Sequence, residues 1–151
     1  TEAVQMVADG IDAAIDEVVS DMETWVTPND LDTAAGTVAA GTVAGQRWVW
    51  SARTGGRDLV RQETVWRMHH DAAPEWPRPP EGRPGVHRCI VKGNPDVQLE
   101  CFVTGEDGDH NTGGVQATAM RVINAIPAVR DHAPGLISTL DLPVTPSRNF
   151  V

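Results

Sequence analysis

The sequence predicts an α+β fold: an antiparallel or mixed sheet built from two hairpins and a further strand, with helices packed on one face. Strand-like runs at residues 38–53 and 58–68 flank Gly55-Gly56, a pair that suits the tight primed turns of hairpins. Two further runs flank a turn-forming stretch at residues 93–96. A late segment from about Gly114 has apolar residues at helical spacing. The order of short helix, strand, hairpin, hairpin and helix is typical of the α+β class.

The N-terminal segment carries the weaker signals. Residues 3–8 are predicted as the tail of a helix, which Gly10 ends because glycine tolerates the left-handed conformation. Residues 15–26 alternate between apolar and acidic side chains, which predicts a strand, with a helix as the alternative over the first half. The composition of residues 27–30, Thr-Pro-Asn-Asp, indicates a turn.

The register of the first hairpin follows from its turn. A two-residue loop places Arg53 opposite Asp58 and Trp48 opposite Glu63. The first of these is an opposite-charge pair that stabilises the hairpin modestly. Neither face of the hairpin comes out purely apolar. Sheets of this kind often have a second, partly wet face that lies against another domain or subunit.

The second hairpin follows a stiff, proline-rich connection at residues 70–85. Its predicted strands are residues 86–92 and 97–104, and each holds one of the two cysteines, Cys89 and Cys101. We expect buried free thiols, although a bridge across the hairpin is geometrically conceivable.

The C-terminal part is predicted as one helix and a docking segment. Asn111 or Thr112 is the expected N-cap of the helix, and Pro127 ends or kinks it. Residues 133–143 form a turn and a short apolar segment. With 151 residues, the chain is predicted as one domain over residues 1–151.

Charge and hydropathy exclude some classes of partner. The net charge is −9 and the sequence contains one lysine, Lys92, so it lacks the clustered cations that nucleic-acid binding needs. No run of about 18 apolar residues predicts a membrane span. No secretory leader is evident, and we therefore expect a cytoplasmic protein.

Two short motifs suggest sites but have simpler explanations. Residues 107–111, Asp-Gly-Asp-His-Asn, resemble the start of a calcium loop. Thr112 and Thr118 stand where that loop requires glycine and a bidentate glutamate, so a polar loop that caps the next helix is favoured. His69-His70-Asp71 suggests metal or acid–base chemistry. Adjacent strand residues point to opposite faces, so we expect an exposed strand end.

The tryptophans are the remaining distinctive residues. Trp25, Trp48, Trp50 and Trp66 fall in predicted strands and Trp76 in the proline-rich connection, which favours core or interface packing. A wall of a substrate pocket is the alternative for Trp48 or Trp50. The sequence has no Gly-x-Gly-x-x-Gly, no Gly-rich loop followed by lysine and no Gly-x-Ser-x-Gly, so its own motifs assign no catalysis.

Four sequence blocks give a family resemblance. They are Gly-Thr-Val-Ala-Gly-Gln-Arg at 41–47, Val-Lys-Gly-Asn-Pro at 91–95, Ala-Thr-Ala-Met-Arg-Val-Ile-Asn-Ala-Ile-Pro at 117–127, and Ala-Pro-Gly-Leu with Leu-Asp-Leu-Pro at 133–136 and 140–143. Their identity and order resemble the C-terminal part of the dihydrodipicolinate-reductase-like family. The resemblance is closer to the branch that contains 2,4-diaminopentanoate dehydrogenase and the native amine dehydrogenases.

This resemblance implies a two-domain enzyme. An N-terminal Rossmann domain, absent from this chain, binds NAD(P), and the C-terminal α+β domain closes over a small-molecule amine or carbonyl substrate and pairs subunits into a homodimer. Hydride then moves between the nicotinamide and an imine or amine carbon. The chain alone is expected to bind no cofactor and to be inactive.

The resemblance also implies five candidate substrate-binding residues. Thr118 matches a threonine whose hydroxyl can face the substrate, and Gln46, Arg47 and Trp48 follow the first block at the expected cleft edge. Asn124 matches a motif residue, although capping or backbone bonding explains it equally well. No catalytic, cofactor-binding or metal-binding residue is assigned, because the acidic residue thought to activate the amine belongs to the N-terminal half.

Two other hypotheses stay open. The chain is alternatively a stand-alone ligand-binding or dimerisation module without catalysis, since fold does not fix function. A third reading is a small enzyme that uses His69, His70 or Asp109.

Overall fold

The computed structural model describes residues 2–144, and their α+β architecture confirms the predicted fold class. Two compact units divide the chain, one ending at Pro77 and the other beginning at Arg78. The strands form three antiparallel sheets among these residues: β1-β4-β5, β2-β3 and β6-β7. The two predicted hairpins therefore lie in separate sheets.

From residue 2 onwards, the first unit contains one helix and five strands. In chain order they are α1 (Glu2–Gly10), β1 (Glu17–Val26), β2 (Leu31–Thr33), β3 (Gly36–Val38), β4 (Val43–Thr54) and β5 (Arg57–Arg67). The helix packs against β4 and β5 and buries Val4 and Ala8 completely or nearly so. The sequence predicted α1, β1, β4 and β5, and the strand reading of residues 15–26 is confirmed from Glu17 onwards.

The register of β4 against β5 is partly as predicted. Arg53 lies opposite Asp58, as the Gly55-Gly56 turn requires, but Trp48 lies opposite Thr64 and not Glu63. A bulge between Ala52 and Arg53 makes Leu59 the extra residue on β5. Because one added residue shifts every later pair by one, the prediction was wrong from that point on.

A small hairpin of β2 and β3 was not predicted. The expected strand over residues 38–53 is interrupted after β3, where the hydroxyl of Thr42 donates to the carbonyl of Ala39 at 2.6 Å. Gly41, with φ of +80°, adopts the left-handed conformation there. The chain therefore turns before it enters β4.

The second unit contains a hairpin and a long helix. Strands β6 (His87–Val91) and β7 (Val97–Cys101) pair in an antiparallel hairpin whose turn is closed by a hydrogen bond from the amide of Gly93 to Asp96 at 2.8 Å. Cys89 and Cys101 are free thiols, as expected, but both are exposed. Their predicted burial was wrong because every residue of these two strands is exposed.

Helix α2 (His110–Asp131) begins earlier than predicted and continues past Pro127. Asp109 is the N-cap, and its carboxylate accepts a 2.6 Å hydrogen bond from the amide of Thr112. The cap therefore lies before Asn111 and Thr112, the two residues predicted for it. Pro127 lies inside the helix and does not end it. Within the described part of the chain, neither helix has the combination of length and apolar character that a membrane crossing requires.

The first test concerns the ion pair at the turn of the first hairpin. Asp58 accepts from Arg53 at 2.8 Å and from the hydroxyl of Ser51 at 2.9 Å, and these two hydrogen bonds hold the pKa of the Asp58 carboxyl below its ordinary value. A depressed pKa in the folded state means that the stabilisation is present above the unfolded pKa and is lost as the pH falls through the folded pKa.

We therefore expect Asp58→Asn to lower the thermal unfolding midpoint near neutral pH, with the difference from the parent protein closing in strong acid. Circular dichroism melts over a pH series measure this effect. Asp21→Asn, an exposed position on the same sheet, is the control. A deficit of the Asp58 variant that stayed constant down to strong acid would contradict the assigned role.

Candidate functional site

The ion-paired side chains of the β1-β4-β5 sheet lie on one face together with Trp25, and the other three tryptophans of the sheet lie on the opposite face. Residues directly opposite each other in the register share a face with every second residue of their own strand. Met22 pairs with Trp48 in this way, and Gln46 pairs with Trp66. With Trp50, these residues make up a surface that we call the tryptophan face.

The tryptophan face is stacked at its centre and exposed at its margins. The rings of Trp48 and Trp50 are nearly parallel, at 6°, with centroids 5.5 Å apart. Trp66 is 60% exposed and Met22 is 45% exposed, so this part of the apolar surface is open to solvent. A large exposed aromatic surface on a sheet is typical of a ligand-binding or protein-binding surface.

The opposite face of the sheet is held by ion pairs. Arg47 reaches Glu63 on β5 at 2.6 Å and Glu23 on β1 at 3.0 Å, so its guanidinium joins both outer strands to the central one. The hydrogen bond to Glu63 is the main reason that the pKa of Arg47 lies above its ordinary value. Arg53 makes a similar bridge between Glu17 and Asp58.

This arrangement separates three of the candidate substrate-binding residues. Gln46 and Trp48 lie on the tryptophan face, whereas Arg47 lies on the ion-paired face with its side chain only 21% exposed. The three neighbours therefore do not converge on one side of the sheet. Arg47 joins three strands, a structural role that the sequence did not indicate.

The other two candidates belong to the second unit, on α2. The hydroxyl of Thr118 donates to the carbonyl of Gly114 at 2.9 Å, one turn earlier in the helix. Thr118 is exposed and Asn124 is half-buried. A threonine hydroxyl that donates within its helix keeps its oxygen lone pairs available as acceptors.

A loop that follows β5 is organised by one arginine. The guanidinium of Arg67 donates to the carbonyls of Ala72, Trp76 and Pro77 at 2.9–3.0 Å, with a longer contact of 3.4 Å to Ala73. Arginine presents several donors in a rigid plane, which suits such a cluster of carbonyl oxygens. Arg67 therefore fixes the first half of the proline-rich connection on the sheet.

The ring of Trp76 closes this arrangement over β4. A Cβ added to Gly45 would lie 3.1 Å from the Trp76 ring and 3.4 Å from the Cβ of Trp25. Trp76 itself is 7% exposed. The glycine in the block at residues 41–47 is thus explained by close packing of an indole ring on the backbone.

His69, His70 and Asp71 lie closer together than predicted. They follow β5 in a bend, and the two imidazole rings are 4.0 Å apart at their centroids. The expectation that they point to opposite faces was wrong, because the strand ends at Arg67. Potential ligand atoms of the three lie within 4.8 Å of one another, but Nδ1 of His69 accepts from the amide of Asp71 at 3.2 Å.

The residues that resemble a calcium loop have structural roles. Asp109 caps α2, and the hydrogen bond from the amide of Thr112 is the main reason that the pKa of Asp109 is lowered. The carboxylate of Asp107 accepts from the amide of Asp109 at 3.0 Å. The preferred reading of this stretch as a helix-capping loop is confirmed.

Comparison with known proteins identifies the family. The family model for the 2,4-diaminopentanoate dehydrogenase C-terminal domain matches residues 1–148. The chain belongs to this family. An amine dehydrogenase of Streptomyces virginiae is 31% identical to it over 150 residues, a match that covers 95% of this chain and 40% of that protein.

A solved structure supports the fold of this family member. The amine dehydrogenase from Mycobacterium smegmatis superposes with a TM-score of 0.67 at 16% identity, over 95% of this chain and 38% of that one. The chain thus spans about two-fifths of the length of each relative. The resemblance predicted from the four sequence blocks is confirmed.

The roles of Arg67 and Trp76 in holding the loop after β5 were not predicted from the sequence. No motif marks them, because the partners of Arg67 are backbone carbonyls whose positions depend on the path of the loop. The one sequence signal is Gly45, whose lack of a side chain leaves room for a ring.

The second test concerns the loop that Arg67 holds. Arg67→Lys keeps the charge but replaces a planar set of donors with a single ammonium group, which reaches fewer of the carbonyls. We expect faster proteolytic cleavage within residues 69–77, roughly tenfold, because the loop then opens locally more often. Limited proteolysis with peptide mapping measures this rate. Arg57→Lys, at the hairpin turn, is the matched control. Equal cleavage rates in the two variants would contradict the assignment.

Proposed function

We propose that the chain is the C-terminal, substrate-facing and subunit-pairing domain of an NAD(P)-dependent oxidoreductase that acts on the C–N bond of a small amine or imine. The observation that carries the proposal is the family match over residues 1–148, combined with an amine dehydrogenase relative of which the chain covers 40%. The active enzyme then requires the nucleotide-binding half that precedes this domain in such proteins, and the chain alone is inactive.

The nicotinamide cofactor belongs to the preceding Rossmann domain in this proposal. Pyrophosphate binding uses free amides at a helix N-terminus that follows a Gly-rich turn. The sequence has no such turn, Glu2 lies in the first turn of α1, and the carboxylate of Asp109 accepts from an amide at the start of α2. Both helices described here therefore place a negative charge where the phosphates would lie. The cofactor supplies or accepts the hydride when bound to the other half.

The substrate contacts that we propose begin on the tryptophan face. Trp48 packs against the apolar part of the substrate, and Gln46 beside it offers both a donor and an acceptor. Arg47 supports them from the other face, since its ion pairs fix the position of β4. Thr118 and Asn124, on α2 of the second unit, are proposed separately as substrate-binding residues, with the Thr118 hydroxyl oxygen as an acceptor.

Pairing with a second copy is part of the same proposal. Trp66 and Met22 are the most exposed members of the tryptophan face, and apolar sheet surfaces of this kind bury themselves against an identical surface in two-fold dimers. The partner copy would cover the part of the surface beside Gln46 and Trp48. Free exposed thiols at Cys89 and Cys101 are compatible with a reducing cytoplasmic location.

The proposal is tested with the full-length gene product. The protein is incubated with NADH or NADPH, ammonium and a panel of small ketones and aldehydes, and consumption of the reduced cofactor is followed by absorbance. We expect consumption that depends on both carbonyl and ammonium, and none with the 151-residue chain alone. A full-length product that consumes neither cofactor with any substrate would contradict the proposal and favour a stand-alone binding module.

A variant tests the role of the tryptophan face in that enzyme. Trp48→Ala removes apolar contact with the substrate, so we expect KM for the carbonyl to rise about tenfold with a smaller change in kcat. Leu59→Ala, at the exposed bulge of the same sheet, is the control and is expected to keep the parent KM. An unchanged KM in a folded Trp48→Ala enzyme would show that Trp48 does not contact the substrate.

A further inference from the structure

Four exposed apolar side chains of helix α2 share one side of the helix, whereas Met120 and Ile123 are exposed on other sides. Val115, Val122, Ile126 and Val129 follow one another at spacings of seven, four and three residues, which places them on one side of an α-helix. They are 63%, 66%, 57% and 47% exposed, respectively. We call these four residues the apolar stripe.

The polarity of α2 is inverted relative to an ordinary surface helix. An amphipathic helix turns its bulky apolar residues inward and its polar residues to solvent. In α2 the buried or half-buried positions include Gly113, Asn124 and Ala128, all smaller or more polar than the members of the stripe. Such a stripe, left open over four turns, indicates a surface that another body covers.

The stripe also borders a groove. A cavity of about 490 Å³ lies along the helix and is bordered on its other side by Thr139 and Leu142. The helix lines it with four apolar residues and two arginines: Val122, Ala125, Ile126, Val129, Arg121 and Arg130. The groove is thus formed within the second unit alone. Its lining combines apolar side chains with a concave shape, which suits the insertion of apolar side chains from a partner.

We infer that the apolar stripe and its groove are the docking surface for the nucleotide-binding domain of the same polypeptide. The inference rests on the proposed function, because that function requires such a domain. Three-fifths of the Streptomyces virginiae relative lies outside the match, and the matching family is described as a C-terminal domain. A preceding domain of that length would supply the body that covers the stripe.

A second copy is the competing occupant and fits less well. The tryptophan face of the sheet already offers a separate apolar surface for pairing. The stripe is a second surface, on the unit that begins at Arg78. A two-domain enzyme that dimerises needs one interface between subunits and another between its domains.

Cysteine labelling of the full-length protein tests the inference. In a background of Cys89→Ser and Cys101→Ser, both exposed positions, Val122→Cys or Ile126→Cys is introduced, with Gln116→Cys as the exposed control on the same helix. We expect the two stripe cysteines to react with a maleimide about tenfold more slowly in the full-length protein than in the 151-residue chain. The control cysteine is expected to react at similar rates in both.

Two results would overturn the inference. Equal labelling rates of the stripe cysteines in the two proteins would show that no preceding domain covers the stripe. Slow labelling in the 151-residue chain that depends on its concentration would assign the surface to a second copy. Fluorescence titration of the same full-length protein with NADPH separates this question from the proposed function. If the full-length protein binds NADPH but its stripe cysteines react as fast as in the 151-residue chain, only the docking inference is contradicted. If the full-length protein does not bind NADPH, the proposed function is contradicted.

Discussion

Strand β4 is hydrogen-bonded to β1 on one side and to β5 on the other, so its alternation decides what each face of the sheet presents. Its odd-numbered arginines, Arg47 and Arg53, each bridge to carboxylates on both outer strands. Its even-numbered tryptophans, Trp48 and Trp50, stack on the other side. The ion pairs penalise a slip in register, and the register in turn holds the tryptophan face together. The candidate substrate surface therefore depends on the charged face behind it.

Local signals in the sequence predicted the elements of this fold well. Glycine pairs and turn residues located the hairpins, and apolar spacing located α2. Features that depend on tertiary contacts were not predicted. The bulge at Leu59 shifts Trp48 away from Glu63, and nothing in the composition of β5 marks it. Cys89 and Cys101 were expected inside because cysteine is usually buried, but a two-stranded hairpin has no core of its own.

The candidate site was predictable only through family resemblance, since this domain carries no catalytic motif of its own. Gln46 and Trp48 share a face, but the placement of Arg47 behind them follows from the pairing of three strands, which one sequence does not reveal. The structural role of Arg67 was not predicted for a related reason, because its partners are main-chain carbonyls of a loop.

The intact mass and N-terminal peptide of the native gene product, purified from cells, test the central claim most directly. The account predicts a protein well above 16.2 kDa, in which a strand, a Gly-rich turn and a helix precede residue 1 of this chain. A native product that begins near residue 1 and has the mass of this chain would contradict the account. It would make the tryptophan face the binding surface of a stand-alone module.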